Sequence, residues 1–303
     1  MVEAQSLSSP LAGLRVIELC QYVAGPYAGL ILAQLGAQVT KVERPGRGDD
    51  TRYWGPPYWG DKSVMFTGMN AGKSSMSLDL AHHGDQGQLR QIVAEADIVL
   101  ASWRPGALER LGFGYADVAE INPAIVYCTI SGFGHAGPLA EQQGYDALAQ
   151  AFTGMMSVTG EPGAAPVRVG TSAIDMGAGM WAALAVVTAI HERSLTGEGK
   201  HVTTSLYETG LAWLPYQVAG YLATGDEPQP MGSGLAMIVP YGAFPTSDRY
   251  FVVGAGNDAA WRRLCSALER DDLASDSELA TNTQRVERRE QVSQASTAVF
   301  HGP

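Results

Sequence analysis

The chain has 303 residues, room for one large domain or two ordinary ones, and 46 % hydrophobic against 17 % charged residues mark it as globular and rich in core material. A formal net charge of −11 argues against a nucleic-acid partner and against adsorption to acidic lipid. It also confines any phosphate site to a local basic cluster. Thirty-six glycines without a G-X-Y period exclude collagen and point to tight turns and close backbone approaches.

In chain order, LRVIEL (14–19) reads as a buried strand. GPYAGLILAQLGA (25–37) reads as a helix with Pro26 near its start and Gly36 at its end. QVTKVERP (38–45) is a second strand halted by proline. The alternation continues through SSMSLDL (strand), GDQGQLRQIVAEA (helix), DIVLASW (strand), GALERLGF (helix entry), ADVAEINP (helix) and AIVYCTISGF (strand). Strands alternating with helices in this way predict an α/β fold, a doubly wound parallel sheet whose ligands lie at the carboxyl ends of the strands. Those ends carry QYVAGP (21–26), ERPGRGD (43–49), SWRPG (102–106) and SGFGHAGP (131–138).

Further on come a long apolar helix after Asp175, a TGEGK turn (196–200), a strand HVTTSLY and a helical ETGLAWLPYQVAGYLATG. The Pro/Gly-rich DEPQPMGSG marks a boundary, which places a large domain at 1–222 and a linker with a smaller α+β domain at 223–303. In the latter, PYGAFPTSDRYFVVGAGND predicts a β-hairpin turning at TSDR. VVGAGNDAAW (252–261) has the outline of a dinucleotide fingerprint, but no second βαβ unit follows. The favoured reading is that Asn257 or Asp258 caps the next helix. Residues 270–303 are polar, helical in places and short of an apolar face, ending VFHGP.

Cys20, Cys128 and Cys265 are odd in number and widely spaced, which reads as free thiols in a reducing cytoplasm. The first 16 residues lack a basic n-region and a long apolar stretch, so no signal peptide is expected. The longest apolar run, Met176 to Ile190, is too short to span a membrane. The six histidines show no metal-ligand spacing and no GxSxG elbow occurs, so neither a metal nor a serine triad is expected.

Arg44, Arg47, Lys73, Arg104 and Arg110 lie near strand-to-helix junctions, a pattern suited to an anion with several phosphates. The other candidate is Asp175, in GTSAIDMGAGMW. It could be an ordinary N-cap, worth about 1 kcal/mol. Gly177 and Gly179 just after it would each cost about 1 kcal/mol relative to alanine in a helix. Their presence therefore reads as room for a substrate approaching a carboxylate nucleophile.

The segments PLAGLRVIEL, VAGPYAGLILAQLGAQVTKVERPGRGDDTR, NAGKSSMSLDL, WRPGALERLGFGY, INPAIVYCTISGFGHAGP, GYDALAQAFTGMMSVTG, AIDMGAG and LTGEGKHVTTSLYE, in this order, resemble the family III CoA-transferases. This CaiB/BaiF family contains formyl-CoA and carnitine CoA-transferases and α-methylacyl-CoA racemase. The resemblance implies a Rossmann-like large domain, a small domain and two interlocked chains in a homodimer. It implies that Asp175 is the catalytic nucleophile and that CoA or acyl-CoA is a substrate, with no permanently bound cofactor. The CoA-binding positions it implies are Val23, Ala24, Arg44, Met69, Asn70, Ala71, Gly72, Lys73, Trp103, Arg104, Arg110, Gln143, Gly144, Tyr145 and Asp146.

Three departures refine the expectation. The racemase branch has histidine where this chain has Tyr145, and tyrosine, with an ordinary pKa near 10, is a poor general base near neutrality. GSGLAMIVPYG replaces the glycine-rich loop of formyl-CoA transferase, and Val23 replaces a glutamine, which implies a larger or less polar acyl group. Family members also continue beyond this chain's last residue with a segment returning to the large domain. Racemization, or CoA binding without turnover, stands as the alternative to CoA transfer.

Overall fold

The computed structural model describes residues 9–300, so the readings that rest on 1–8 and 301–303 lie outside the described residues. Two compact units emerge: 1–153 with 169–218, and 154–168 with 219–303. The expected boundary near 222 follows the end of the first unit closely. Residues 154–168, expected in the large domain, cluster with the second unit. This glycine- and proline-rich stretch has no apolar period to bind it to the sheet, and its Gly160 carbonyl accepts the Gly232 N–H at 2.8 Å.

In the first unit β1 (Arg15–Leu19) leads through α1 (Ala24–Gln34) to β2 (Gln38–Glu43). A small hairpin, β3 (Tyr58–Trp59) and β4 (Lys62–Ser63), and α2 (Val64–Met69) precede β5 (Ser74–Ser77). Then follow α3 (His83–Ala94), β6 (Ile98–Ala101), α4 (Tyr115–Ile121), β7 (Val126–Ser131), α5 (Asp146–Phe152), α6 (Ala173–Thr196), β8 (Lys200–Ser205), α7 (Leu206–Ala212) and α8 (Pro215–Thr224). The first unit ends within α8. The strand order is β5-β2-β1-β6-β7-β8, with every pairing parallel. That is the Rossmann order, and its direction reverses between β1 and β6. The predicted helix at GALERLGF is a single 3-10 turn, Glu109–Leu111, stopped by Gly112 at φ 73°. β3, β4, α2 and α5 are too short to show a hydrophobic period and were not expected.

Because side chains alternate along each strand, the sheet buries both faces. Ile17, Leu19, Val99, Ala101, Ile125 and Tyr127 pack with Leu89 and Val93 of α3 and Val118 of α4. On the other side α1 and α6 pack against each other, and α6 also meets β7, β8 and α7. At 24 residues α6 is the one helix, among the described residues, long and apolar enough to cross a membrane; here it is a packed element of the sheet's cover.

The second unit holds the predicted hairpin, β9 (Tyr241–Pro245) antiparallel to β10 (Tyr250–Gly254). It continues with α9 (Asp258–Ala267), α10 (Asp271–Ser275), α11 (Asn282–Glu287) and α12 (Arg289–Phe300). The Asn257 side chain accepts the Ala260 N–H at 2.8 Å, so the GxGxxA stretch is a helix cap after a hairpin, as expected. Residues 270–300 depart from expectation. Leu279 and Val292 join Val239, Trp261 and Cys265 in a core. Arg285 is fully buried among them, donating to Val239 O, Leu279 O and Asp258 Oδ1, each at 2.9 Å. A charged residue with a hydrogen bond from each guanidinium nitrogen serves as core, which a count of apolar residues misses.

Candidate active site

The crevice predicted at the carboxyl ends of the strands exists where the sheet order reverses. The loop after β1 supplies Gln21, Tyr22, Val23 and Ala24, and the loop after β6 supplies Ser102, Trp103, Arg104 and Pro105. Gln143, Gly144 and Tyr145, ahead of α5, close a third side, and Asp175 lies in the wall. This cleft measures about 120 Å³. A second, of about 510 Å³, shares Gln21, Tyr22, Ser102, Trp103, Arg104 and Gln143 and extends past Arg44 to the end of β5. The two hollows are thus joined along one wall, an elongated track ending at a carboxylate.

Asp175 is the third residue of α6 and not its cap. Ser172, at the cap position, makes no side-chain hydrogen bond. The buried Asp146 does the capping from α5, its Oδ2 accepting the N–H groups of Ile174 at 2.9 Å and Asp175 at 3.3 Å. Among the described residues none donates to the Asp175 carboxylate. Burial, and then the neighbouring Asp146 charge, push its pKa up to about 7. A carboxylate this poorly solvated is more basic, and hence more nucleophilic, than one in water.

Gly177 and Gly179 have another purpose than the one expected. A Cβ on Gly177 would lie 2.5 Å from Trp213 Nε1, and one on Gly179 would lie 2.6 Å from the Ala24 carbonyl oxygen. Both residues are buried. They let α7 and the start of α1 pack directly on α6, and this packing, not substrate clearance, accounts for the missing side chains.

A buried ion cluster fixes the loop after β1. Lys41 Nζ contacts Glu18 Oε1 at 2.9 Å and Asp49 Oδ2 at 3.0 Å and donates to the Cys20 carbonyl at 2.7 Å. Burial alone would lower the Lys41 pKa, but Glu18 and Asp49 raise it. Asp49 Oδ1 in turn accepts the Thr51 N–H at 2.9 Å and the Tyr22 N–H at 3.4 Å. Tyr22 is held at φ 68°, sparsely populated for a residue with a side chain, with its ring stacked on Trp54 at 5.8 Å. Its hydroxyl donates to Asp50 at 3.2 Å. Glu43 anchors the same region. Although burial alone would raise it, hydrogen bonds from Arg52, Ser75 and the Asp49 N–H lower its pKa to about 2.

Not every expected binding residue comes to these clefts. Val23, Ala24, Trp103, Arg104, Gln143, Gly144 and Tyr145 line the first, and Arg44 joins Trp103, Arg104 and Gln143 in the second. No side chain caps the N-terminus of α1 at Val23. Arg44 also contacts Asp50 at 2.5 Å. Lys73 is turned inward and used up: it pairs with Glu18 Oε2 at 2.8 Å and donates to Pro26 O at 2.7 Å and Asn70 Oδ1 at 2.9 Å. Asn70 and Ala71 line a different hollow, with Arg52 and Phe66. Met69 ends α2, and Gly72 makes the turn into β5 at φ 77°. Arg110 is exposed on the 3-10 turn, its guanidinium beside Gly106 and outside the lining of both clefts. Asp146 faces the helix start. Gln21, Tyr22 and Ser102 line both clefts. They lie within the strand ends QYVAGP and SWRPG marked as ligand edges, but were not among the binding positions named there. Among the described residues no group of three His, Cys, Asp or Glu is arranged to hold a metal ion.

Curated relatives extend this picture. The chain is 38 % identical over 283 residues to human succinyl-CoA:glutarate CoA-transferase, covering 93 % of this chain and 65 % of that protein. It is 39 % identical over 278 residues to acetyl-CoA:oxalate CoA-transferase of Acetobacter aceti, covering 91 % and 71 %. The chain thus spans about two thirds of the length of these relatives. Among solved structures, a CaiB/BaiF family protein from Brucella suis matches with a TM-score of 0.85 at 38 % identity, covering 97 % of this chain and 78 % of that one. A Mycobacterium tuberculosis protein in an orthorhombic crystal form matches at 0.87 and 29 % identity, covering 98 % and 79 %. The sequence pattern of CoA-transferase family III runs from residue 11 to residue 302, and the chain belongs to that family.

Proposed function

We propose that the chain transfers CoA from an acyl-CoA donor to a carboxylic acid, with Asp175 as the covalent nucleophile. The observation that carries this reading is the place of Asp175: a carboxylate free of hydrogen-bond donors, its pKa raised to about 7, at the end of a track that crosses the switch point of the sheet. Arg44 and Arg104 give the wider part of the track positive charge suited to the phosphates of CoA. The uncapped start of α1 suits an anion at the narrow end.

The chemistry follows from the carboxylate. Asp175 attacks the thioester carbonyl, the C–S bond breaks, and CoA leaves as the thiolate with an acyl-aspartyl anhydride behind it. The thiolate attacks the aspartyl carbonyl and expels the donor's carboxylate, leaving an aspartyl-CoA thioester. The acceptor carboxylate attacks that thioester and releases the thiolate once more. Attack of the thiolate on the acceptor's acyl carbon then yields the new acyl-CoA and regenerates Asp175. Each exchange becomes two easier displacements, and water must be kept from both intermediates.

Relatives at 34–39 % identity are named for glutarate, oxalate and D-citramalate, all dicarboxylates. A small dicarboxylic acid is therefore our proposed acceptor. Tyr145, which stands where the racemase branch has histidine, lines the cleft with Asp175, and this favours transfer over α-proton exchange. The family resemblance further supports an interlocked homodimer, which sedimentation of the chain tests. Incubation with succinyl-CoA, followed by hydroxylamine or borohydride trapping and mass spectrometry, should place the adduct on Asp175. An unlabelled Asp175 peptide in a protein that turns over would overturn the reading.

A further inference from the structure

Asp146 was expected to touch CoA. It is instead buried at the first position of α5, and both of its oxygens are occupied within the protein. Oδ2 accepts the Ile174 and Asp175 N–H groups at 2.9 and 3.3 Å. Oδ1 accepts an N–H from Gln150 Nε2 at 2.6 Å, and the Gln150 side-chain oxygen Oε1 accepts the Val169 N–H at 2.8 Å. Asp146 and Gln150 are respectively 6 % and 0 % exposed. One side-chain pair therefore ties together the start of α5, the irregular segment leading to α6 and the first turn of α6.

The choice of residue is the informative part. Helix starts are usually capped from the residue at the cap position, and Ser172 stands there without bonding. A neutral serine or asparagine could accept the same N–H groups. This chain instead places a second carboxylate beside Asp175, reaching the first turn of α6 from the start of α5. By taking up the first-turn N–H groups, Asp146 prevents them from bonding to the Asp175 carboxylate, which would stabilise the anion and weaken it as a nucleophile.

We propose that Asp146 is a positioning residue for Asp175: it holds the first turn of α6 by two N–H groups and, with Gln150, keeps the Asp175 carboxylate unbonded and aimed into the cleft. This rests on the reading of Asp175 as the nucleophile. The other ionisable side chains that line the cleft with that carboxylate are Tyr22 and Arg104, from the loops after β1 and β6, and Tyr145 beside Asp146.

The test compares wild type, Asp146→Asn, Asp146→Ala and Gln150→Met in the full chain. Two readouts are used: the rate of Asp175 labelling by succinyl-CoA, and the carboxyl titration of Asp175 followed by carbon-13 NMR in the protein without substrate. Asp146→Ala should lower the labelling rate about 100-fold, the loss typical of a misplaced reacting group, with the KM for the thioester within about threefold of wild type. Asp146→Asn keeps an acceptor and removes the charge. It should recover labelling to within about tenfold of wild type while the Asp175 titration midpoint falls by about one unit. Gln150→Met preserves volume and should move labelling in the same direction as Asp146→Ala, by less. It supplies the positioning arm if Asp146→Ala does not fold.

An unmoved midpoint in Asp146→Asn overturns the proposal. So does a raised KM with unchanged kcat in Asp146→Ala, which would return Asp146 to CoA binding. Wild-type turnover without labelling of Asp175 would refute the nucleophile instead, and the NMR midpoints would still report on Asp146.

Discussion

Replacing Gly179 by alanine separates two accounts of the glycines in α6. If they were clearance for a substrate, the added methyl would stabilise the helix by about 1 kcal/mol, the usual gain over glycine, and would harm only catalysis. The structure predicts otherwise. The new Cβ would lie 2.6 Å from the Ala24 carbonyl oxygen and 3.1 Å from Tyr27 Cβ and Cδ1. A backbone carbonyl cannot rotate away as a side-chain tip can, so α1 must shift. Overpacking of this kind costs about 1–3 kcal/mol, and here the upper half of that range applies. Subtracting the propensity gain leaves a net loss of about 1–2 kcal/mol. Gly87→Ala in α3 is the matched control within the same unit, because nothing lies within 4 Å of its Cβ. It should gain up to about 1 kcal/mol. Urea unfolding of both variants beside the wild type, with the midpoint and the slope followed together, measures the difference. If Gly179→Ala stabilises as much as Gly87→Ala, the packing argument is wrong.

Other expectations concern charge. The carboxylate form of Asp175 is the attacking species, so the labelling rate should rise with pH through a midpoint near 7; a midpoint near 4 would contradict the buried environment. The same elevation bears on stability. Between pH 4 and 7 the folded chain holds a proton that the unfolded chain has lost, so this contribution to stability falls as pH rises through that window and then levels off. Asp175→Asn should therefore be more stable than wild type at pH 8 and lose that advantage below about pH 4, by an amount whose upper bound, before solvent screening, is about 4 kcal/mol. Lys73→Met leaves Glu18 buried with one cation fewer and should cost about 3–5 kcal/mol in denaturant unfolding. A loss below 1 kcal/mol with a raised KM for CoA would restore Lys73 as a ligand. Arg104→Ala should raise the KM for the thioester with little change in stability, whereas Arg110→Ala should leave the KM within about twofold of wild type. Equal effects from the two would mean that the cleft extends to Arg110.

The sequence by itself determined the alternation of strands and helices, the parallel sheet, the hairpin with a helix cap at Asn257 or Asp258, and Asp175 as the one carboxylate at the head of an apolar helix. Those features depend on residues within a turn or two of one another. Hydrophobic period, prolines and glycines at element ends, and side-chain caps act at that range. The tertiary structure decided which groups face one another once strand ends converge. Asp146 reaches the first turn of α6 from 28 residues away, so the cap of that helix was not legible beside it. Lys73 looked like a phosphate ligand because it lies with several arginines near strand-to-helix junctions; here Glu18 and Asn70 turn it inward. Gly177 and Gly179 looked like space for a substrate because a sequence shows a missing side chain and not the helix that fills its place. What a buried charge or a bare backbone does depends on its partners, and folding chooses those partners.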